Sequence, residues 1–448
     1  MRLNVPLLCL IALLPSVRAA RPEWKAGAAK VRINPRETVW MGGYAARTRA
    51  MEGVAQDLYA SALALEDRTG ARAVLVTVDL LRVTAKLSGA VAAEVGKKYR
   101  IPRERLLFNA SHTHAGPVFG GMSDIFYPET PELLAAEDRY AAELERSLVE
   151  VIGAAVKRLR PASLRFGRTE AGFARNRRSQ MPNGPVDHDV PVLRVDDRRG
   201  RPTAIVFGYA CHNTTIGAEV CKLHGDYAGS AKAALENKNR GAIALFVTGC
   251  GADANPEPRG SIELAEKHGA ELAEAVQREA GGELRPVGGP LRCAYREVAL
   301  DYAPSGDRAD WAAKANDADA QVSRHARKML EIIDRNGRLP PAHACPLAVW
   351  RFGKDLTLVA IGGEVVVDYD LRLKKELGAE RLWVAGYSND VFDYVPSLRV
   401  LKEGGYEGGG ASVYHSDPGP FAEGIEETII GGVRALVEAT NPDGVVSK

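Results

Sequence analysis

The densest concentration of reactive side chains is Ser111-His112-Thr113-His114-Ala115-Gly116-Pro117. Two histidines two apart in extended backbone project to the same side, so both can face one metal ion or one substrate. The Gly-Pro that follows ends the strand and lets the chain turn around whatever the imidazoles hold. Neutral imidazole is a common zinc ligand. A His-x-His pair also occurs in ordinary cores, and the motif alone leaves both readings open. His212, in Gly208-Tyr209-Ala210-Cys211-His212-Asn213-Thr214, is either a second such ligand or a structural histidine. Asp226, in His224-Gly225-Asp226-Tyr227, suits the N-cap of the helical pattern it precedes. Gly249-Cys250-Gly251-Ala252-Asp253-Ala254 imitates a dinucleotide fingerprint, but Asn255-Pro256-Glu257-Pro258 follows at once and forbids the helix that fingerprint must open. A turn bringing Asp253 and Asn255 to a sheet edge is the better account. With no G-x-S-x-G and no Walker sequence in the chain, metal-assisted chemistry is the leading class.

These residues need a frame to hold them. Short runs rich in Val, Ile and Leu predict strands at 73–78, 106–109, 204–209, 242–247, 356–361 and 382–385. Amphipathic patterns predict helices at 85–98, 132–158, 227–237, 262–280, 366–377 and 420–439. The alternation implies an α/β fold, with mixed central β-sheet flanked by helices. Residues 308–335 read as a charged surface helix inserted between neighbouring strands, its role that of a solvated face. Five polar clusters sit just past strand ends: Ser111–His114, Cys211–Asn213, Gly249–Asp253, Gly363-Glu364 and Gly386–Asn389. The C-terminal edge of such sheets is where ligands bind, so the site is expected there.

Composition bounds the partners. The chain has 448 residues, 46% hydrophobic, with 59 Lys and Arg against 57 Asp and Glu. The pattern over residues 1–19, a basic start, an apolar run at Pro6–Leu14 and small residues near Ala19, is that of a secretory signal peptide. Two of the basic residues, Arg2 and Arg18, lie in it, leaving 57 bases against 57 acids. Such a balance excludes a nucleic-acid binder that works through a basic surface. No apolar run reaches the length of a transmembrane helix, so a secreted or periplasmic protein is expected. Beyond Cys9, five cysteines remain, an odd number; Cys293 and Cys345 flank the charged insertion and are the pair expected to be bridged. Residues 20–448 show no internal boundary and read as one domain.

Taken in order, these clusters resemble the catalytic N-terminal domain of the neutral/alkaline (non-lysosomal) ceramidases, zinc amidases that split the N-acyl bond of ceramide. The resemblance runs from Gly27–Pro35 and Met41-Gly42-Gly43-Tyr44 through Asn109–Pro117, Asn176-Arg177-Arg178, His212, the Asp253 turn and Gly363-Glu364. It continues through Asp393-Tyr394-Val395-Pro396 and Gly405-Tyr406-Glu407-Gly408. It implies a Zn2+ ion held by His112, His212, Glu364 and Tyr394, where zinc lowers the pKa of a water and polarises the amide carbonyl. It also implies that His114 shuttles protons or hydrogen-bonds the reacting oxygen, and that Tyr406 and Arg177 face the substrate. The family's Gly-Asp-Val-Ser-Pro-Asn stands here as Ala252–Glu257, so Asn255 replaces the serine implicated in catalysis. Asparagine cannot act as a nucleophile, which favours direct attack by zinc-activated water. The β-sandwich that usually follows the family's catalytic domain is not expected in this chain. The implied substrate is ceramide or a related N-acyl lipid, presented at a membrane surface. The alternatives are a zinc hydrolase of a smaller, non-lipid amide or ester, and a non-catalytic zinc-containing binding protein.

Overall fold

The computed structural model describes residues 23–120, 127, 130–178 and 183–441. The expected signal peptide at 1–19 lies outside them. In chain order the principal strands are β1 (Trp24–Arg32), β2 (Tyr59–Asp67), β3 (Arg72–Val78), β4 (Leu106–Ala110), β5 (Arg160–Glu170), β6 (Asp189–Asp197), β7 (Pro202–Tyr209) and β8 (Ile243–Thr248). They form one sheet in the order β8-β7-β6-β5-β1-β2-β3-β4, with Arg285–Val287 added beside β5. Its two end pairs, β3/β4 and β7/β8, are parallel; the pairs between them are antiparallel. A second sheet holds β9 (Leu291–Asp301), β10 (Ala342–Phe352), β11 (Leu356–Ile361) and β12 (Leu382–Ala385) in that order, with β11 and β12 parallel.

Apolar residues dictate how these layers stack. Leu63, Leu107, Val206 and Leu245 of the large sheet pack against Trp350, Leu358 and Trp383 of the small one, so the two sheets lie face to face. Helices α1 (Ala85–Tyr99) and α2 (Pro131–Lys157) cover the other face of β1–β4, and α3 (Asp226–Lys238) and α4 (Ile262–Ala280) cover β6–β8. Two helices, the short α5 (Arg308–Lys314) and the longer α6 (Ala320–Asn336), lie between β9 and β10 in sequence. Helices α7 (Val367–Leu377) and α9 (Ile425–Ala439) close the small sheet's outer face, with the short α8 (Leu398–Glu403) between them in sequence. The result is a four-layer α/β/β/α arrangement. Strand β4 is buried at every position, as a strand covered on both faces must be. Among the described residues no helix is long and apolar enough to cross a membrane.

Four expectations are corrected. Cys293 and Cys345 are both free. They sit on the paired strands β9 and β10, but Cys293 opposes Trp350 and Cys345 opposes Val298. Five residues of ladder, about 17 Å, separate them, far beyond the reach of a disulfide. Asp226 is not the N-cap: Gly225 holds that position without a side-chain cap, and the buried Asp226 carboxylate accepts from the amides of Ile216 and Tyr227. The last helix starts at Ile425 instead of residue 420, because the preceding segment is used as strand edge. There the Ala303 amide donates to Pro420 O and the Ala422 amide to Asp301 O. The insertion is two helices with an apolar interior of Trp311, Ala326 and Met329, and α6 grips a loop through Gln321 Nε2 to Val413 O (2.8 Å) and His325 Nε2 to Asp417 O (2.9 Å). A solvated face is therefore only part of its role.

His343 on β10 joins three segments. Its Nε2 lies 3.0 Å from Asp390, its Nδ1 3.6 Å from Asp417, and Asp390 in turn accepts from the Ala85 amide at the start of α1. Burial opposes the charge, but the two carboxylates prevail and raise its pKa from 6.5 to about 9. A raised folded-state pKa stabilises fully below the unfolded value and is lost as pH rises through the folded one. Between pH 6 and pH 9.5 the wild type is expected to lose about 3 kcal/mol more than His343→Gln in urea unfolding. Parallel pH profiles for the two proteins would contradict this role.

Candidate functional site

The site is assembled by strand ends that one buried amide gathers. Asn109, the last polar residue of β4, accepts from the Thr248 amide at the end of β8 (2.8 Å). It donates to Gly386 O beyond β12 (2.8 Å) and to Ser388 Oγ (3.2 Å). The chain then leaves β4: Ser111 N donates to Val78 O and His112 N to Leu80 O. His112 adopts a left-handed backbone, φ 63°, rare for a residue with a Cβ and a mark of local strain at functional positions. The expected extended His-x-His geometry is thus replaced by a turn, yet the rings still converge. Nε2 of His114 and Nε2 of His112 are 3.2 Å apart.

Each imidazole is oriented from behind. His112 Nδ1 lies 2.7 Å from Leu81 O, and His212 Nδ1 lies 2.9 Å from Gly251 O. A carbonyl accepts only, so each Nδ1 carries the proton and each Nε2 lone pair faces inward, the arrangement seen behind metal-ligating histidines. Glu364 reaches the same point from the small sheet. It pairs with Tyr394 in a short parallel bridge, after Gly363, whose φ of 82° and close approach to Val395 leave no room for a side chain. Its Oε2 is 3.2 Å from His112 Nε2 and 3.3 Å from His212 Nε2, but it is buried without a hydrogen-bond partner among the described residues. Burial would raise the Glu364 carboxyl, and protonated imidazoles beside it would bring it well below the usual range. Tyr394 Oη completes the group, 3.3 Å from His212 Nε2.

Two ring nitrogens facing oxygen on both sides can be satisfied by ring protonation or by a cation. Burial opposes protonation, pulling His212 down to about 3, with Arg177 adding to the effect. A cation held among them would leave the rings neutral, and the imidazole, carboxylate and phenol donors are of the kinds that hold zinc. Side-chain nitrogens of His112, His114 and His212 also lie within 4.8 Å of one another and could hold a metal ion. His114 differs from the other two in having a buried Nδ1 with no partner among the described residues. Gly43 makes room for it, since a Cβ there would sit 2.3 Å from that nitrogen.

The remaining candidates form the rim. Arg177 donates to Glu407 (2.8 Å), Asn255 Oδ1 (3.3 Å) and Tyr394 Oη (2.9 Å), so its guanidinium is committed to protein groups and orients Tyr394. Asn255 Oδ1 also accepts from Thr214 (3.3 Å). Tyr406 packs its ring 5.2 Å from Tyr394 and is 46% exposed. Above them opens a cavity of about 350 Å³ lined by arginine, asparagine, tyrosine and glutamate, with no aliphatic side chain. Sequence reasoning assigned no role to Asn109, Tyr387 or Glu407. Tyr387 is fully buried with its ring 4.6 Å from that of His112. A polar residue inside an apolar strand was the available signal for Asn109; Tyr387 lay within the strand-end cluster Gly386–Asn389 and Glu407 beside Tyr406, neither with a role of its own.

A model of the N-terminal part of the neutral/alkaline non-lysosomal ceramidases matches residues 26–262, more than half of the chain. The chain belongs to that family. Among solved structures, this ceramidase-family chain is similar to neutral ceramidase from Pseudomonas aeruginosa, with a TM-score of 0.71 and 20% identity over 93% of this chain and 74% of that one. It is also similar to a ceramidase complexed with C2, with a TM-score of 0.72 and 18% identity over 95% of this chain and 77% of that one. At such identities the likeness is one of fold. No curated protein matches the chain.

Glu407 binds two arginines, Arg177 and the fully buried Arg178. Glu407→Ala is expected to cost about 3–5 kcal/mol in chemical denaturation, because it strands buried positive charge. A loss below about 1 kcal/mol, the range of an exposed pair, would show that the rim does not depend on it.

Proposed function

We propose that this ceramidase-family protein is a zinc-dependent amidohydrolase that cleaves the N-acyl bond of ceramide or a related N-acyl lipid. The observation that carries the reading is the unpartnered Glu364 oxygen facing the inward nitrogens of His112 and His212. His112, His212, Glu364 and Tyr394 would hold the zinc. When bound there, the ion supplies a Lewis acid that lowers the pKa of water and polarises the amide carbonyl.

The chain's own groups do the rest. His114 is kept unprotonated by burial, with His112 adding to the effect. It can take a proton from the attacking water and pass it to the leaving nitrogen, so that the acyl carbon gains hydroxyl and the amine departs neutral. The Tyr406 hydroxyl, which has no hydrogen-bond partner among the described residues, donates to the developing oxyanion. Arg177 fixes Tyr394 and Asn255 in place. Asn255, lacking a nucleophilic oxygen, orients groups and forms no covalent intermediate. Export through the leader at 1–19 belongs to the same proposal and rests on the sequence pattern.

The zinc-loaded protein should release fatty acid from an N-acylsphingosine, lose that activity on chelation and regain it on zinc addition. His112→Ala should lose bound zinc and turnover together while keeping its fold. Full zinc occupancy and full turnover in His112→Ala would overturn the assignment.

A further inference from the structure

The cavity at the rim, whose Arg177 and Tyr406 touch Tyr394, is defined by which of its polar groups are already used. Both oxygens of Glu407 are occupied, Oε1 by Arg177 Nε (2.8 Å) and Oε2 by Arg178 Nη1 (3.0 Å). Arg177 spends its three nitrogens on Glu407, Asn255 and Tyr394. Arg178 is fully buried and binds Glu403 and Gly404 O as well as Glu407. The only acceptor that Asn255 offers, Oδ1, receives from both Arg177 and Thr214. Two donors converging on Oδ1 fix the amide, which leaves its NH2 as the atom presented to the cavity. Asn255 is 6% exposed, and this NH2 has no partner among the described residues.

One more donor group completes the set. Arg259 lines the same cavity; its carboxylate neighbour, Glu257, lies 3.6 Å from Nε, and Arg259 makes no hydrogen bond among the described residues. Both of its terminal nitrogens are therefore unclaimed among the described residues. The loop bearing Arg259 is fixed rather than loose, since Gly260 N donates to Thr215 O (2.7 Å) and His268 Nε2 lies 2.7 Å from Pro258 O. The cavity's acceptors are consumed while its remaining capacity consists of donors, one of them permanently charged. A wholly apolar ligand would leave those donors unpaired, at a cost; a carboxylate accepts from all of them.

We infer that the site takes an N-acyl amide carrying a carboxylate a few bonds from the scissile bond, recognised by Arg259 and Asn255 Nδ2. N-acyl amino acids are the simplest members of that class. The inference rests on the amidohydrolase reading for the reaction but on the rim alone for the charge preference.

The test compares N-decanoylglycine with its neutral analogue N-decanoylglycinamide, using the zinc-loaded full chain. The carboxylate is expected to have the higher kcat/KM, by about tenfold. Arg259→Gln should bring the ratio to about one, and Arg259→Lys should retain part of it. Equal kcat/KM values in the wild type, or a preference for the neutral analogue, would overturn the inference while leaving the amidohydrolase reading intact. If neither compound nor N-acylsphingosine is hydrolysed, the amidohydrolase reading fails, and equilibrium dialysis of the same pair decides the charge preference. About tenfold tighter retention of the carboxylate then supports the preference, and equal retention overturns it.

Discussion

A buried carboxylate between two imidazoles is the constraint on which this structure turns. Glu364 brings negative charge into a site where Oε2 finds no hydrogen bond among the described residues, and where both nearest nitrogens are turned lone-pair inward by carbonyls behind them. Without a positive charge such a cluster is strongly unfavourable. A divalent ion resolves it with every ring neutral. The surroundings fit that solution: Arg177 stands one residue further out, bound to Tyr394, Asn255 and Glu407, and supports the phenol without entering the cluster.

The fold can be understood as the means of bringing those groups together from distant parts of the chain. His112 and His212 follow strands that belong to the two end pairs of one sheet, and Glu364 and Tyr394 belong to the small-sheet side of the sandwich. Face-to-face packing alone would leave the strand ends apart. Asn109 stitches them: one side chain bonds the end of β8 and the turn after β12 while standing on β4. The α5–α6 insertion adds a brace from outside. Its hydrogen bonds to Val413 O and Asp417 O hold the segment that follows Tyr406, so an element that contributes nothing to the cluster steadies its rim.

Legibility in the sequence followed burial. Strands covered on both faces, such as Leu106–Ala110 and Leu356–Ile361, are near-continuous apolar runs and were readable. Strands β1 and β2 were not, because WKAGAAKVR and YASALALED are rich in residues that favour helix. Their small side chains serve packing: a Cβ on Gly27 would strike Ala155 O of α2 at 2.3 Å. Tertiary contact overrode local propensity there. Within the site, the two histidine clusters stood out by type and position. Glu364 is one of 57 acidic residues; its place past a strand end marked its cluster, and only the family resemblance gave it a ligand's role. Backbone carbonyls such as Leu81 O and Gly251 O leave no mark in a sequence, although they decide which ring nitrogen faces inward.

The account stands or falls on the ion and its ligands. Anomalous X-ray diffraction at the zinc edge, on crystals of the full chain soaked in zinc, addresses both at once. The account predicts one strong peak bonded to Nε2 of His112, Nε2 of His212, Oε2 of Glu364 and Oη of Tyr394, with His114 outside the coordination sphere. No peak, or a peak held by the three imidazoles with Glu364 and Tyr394 turned away, would contradict it.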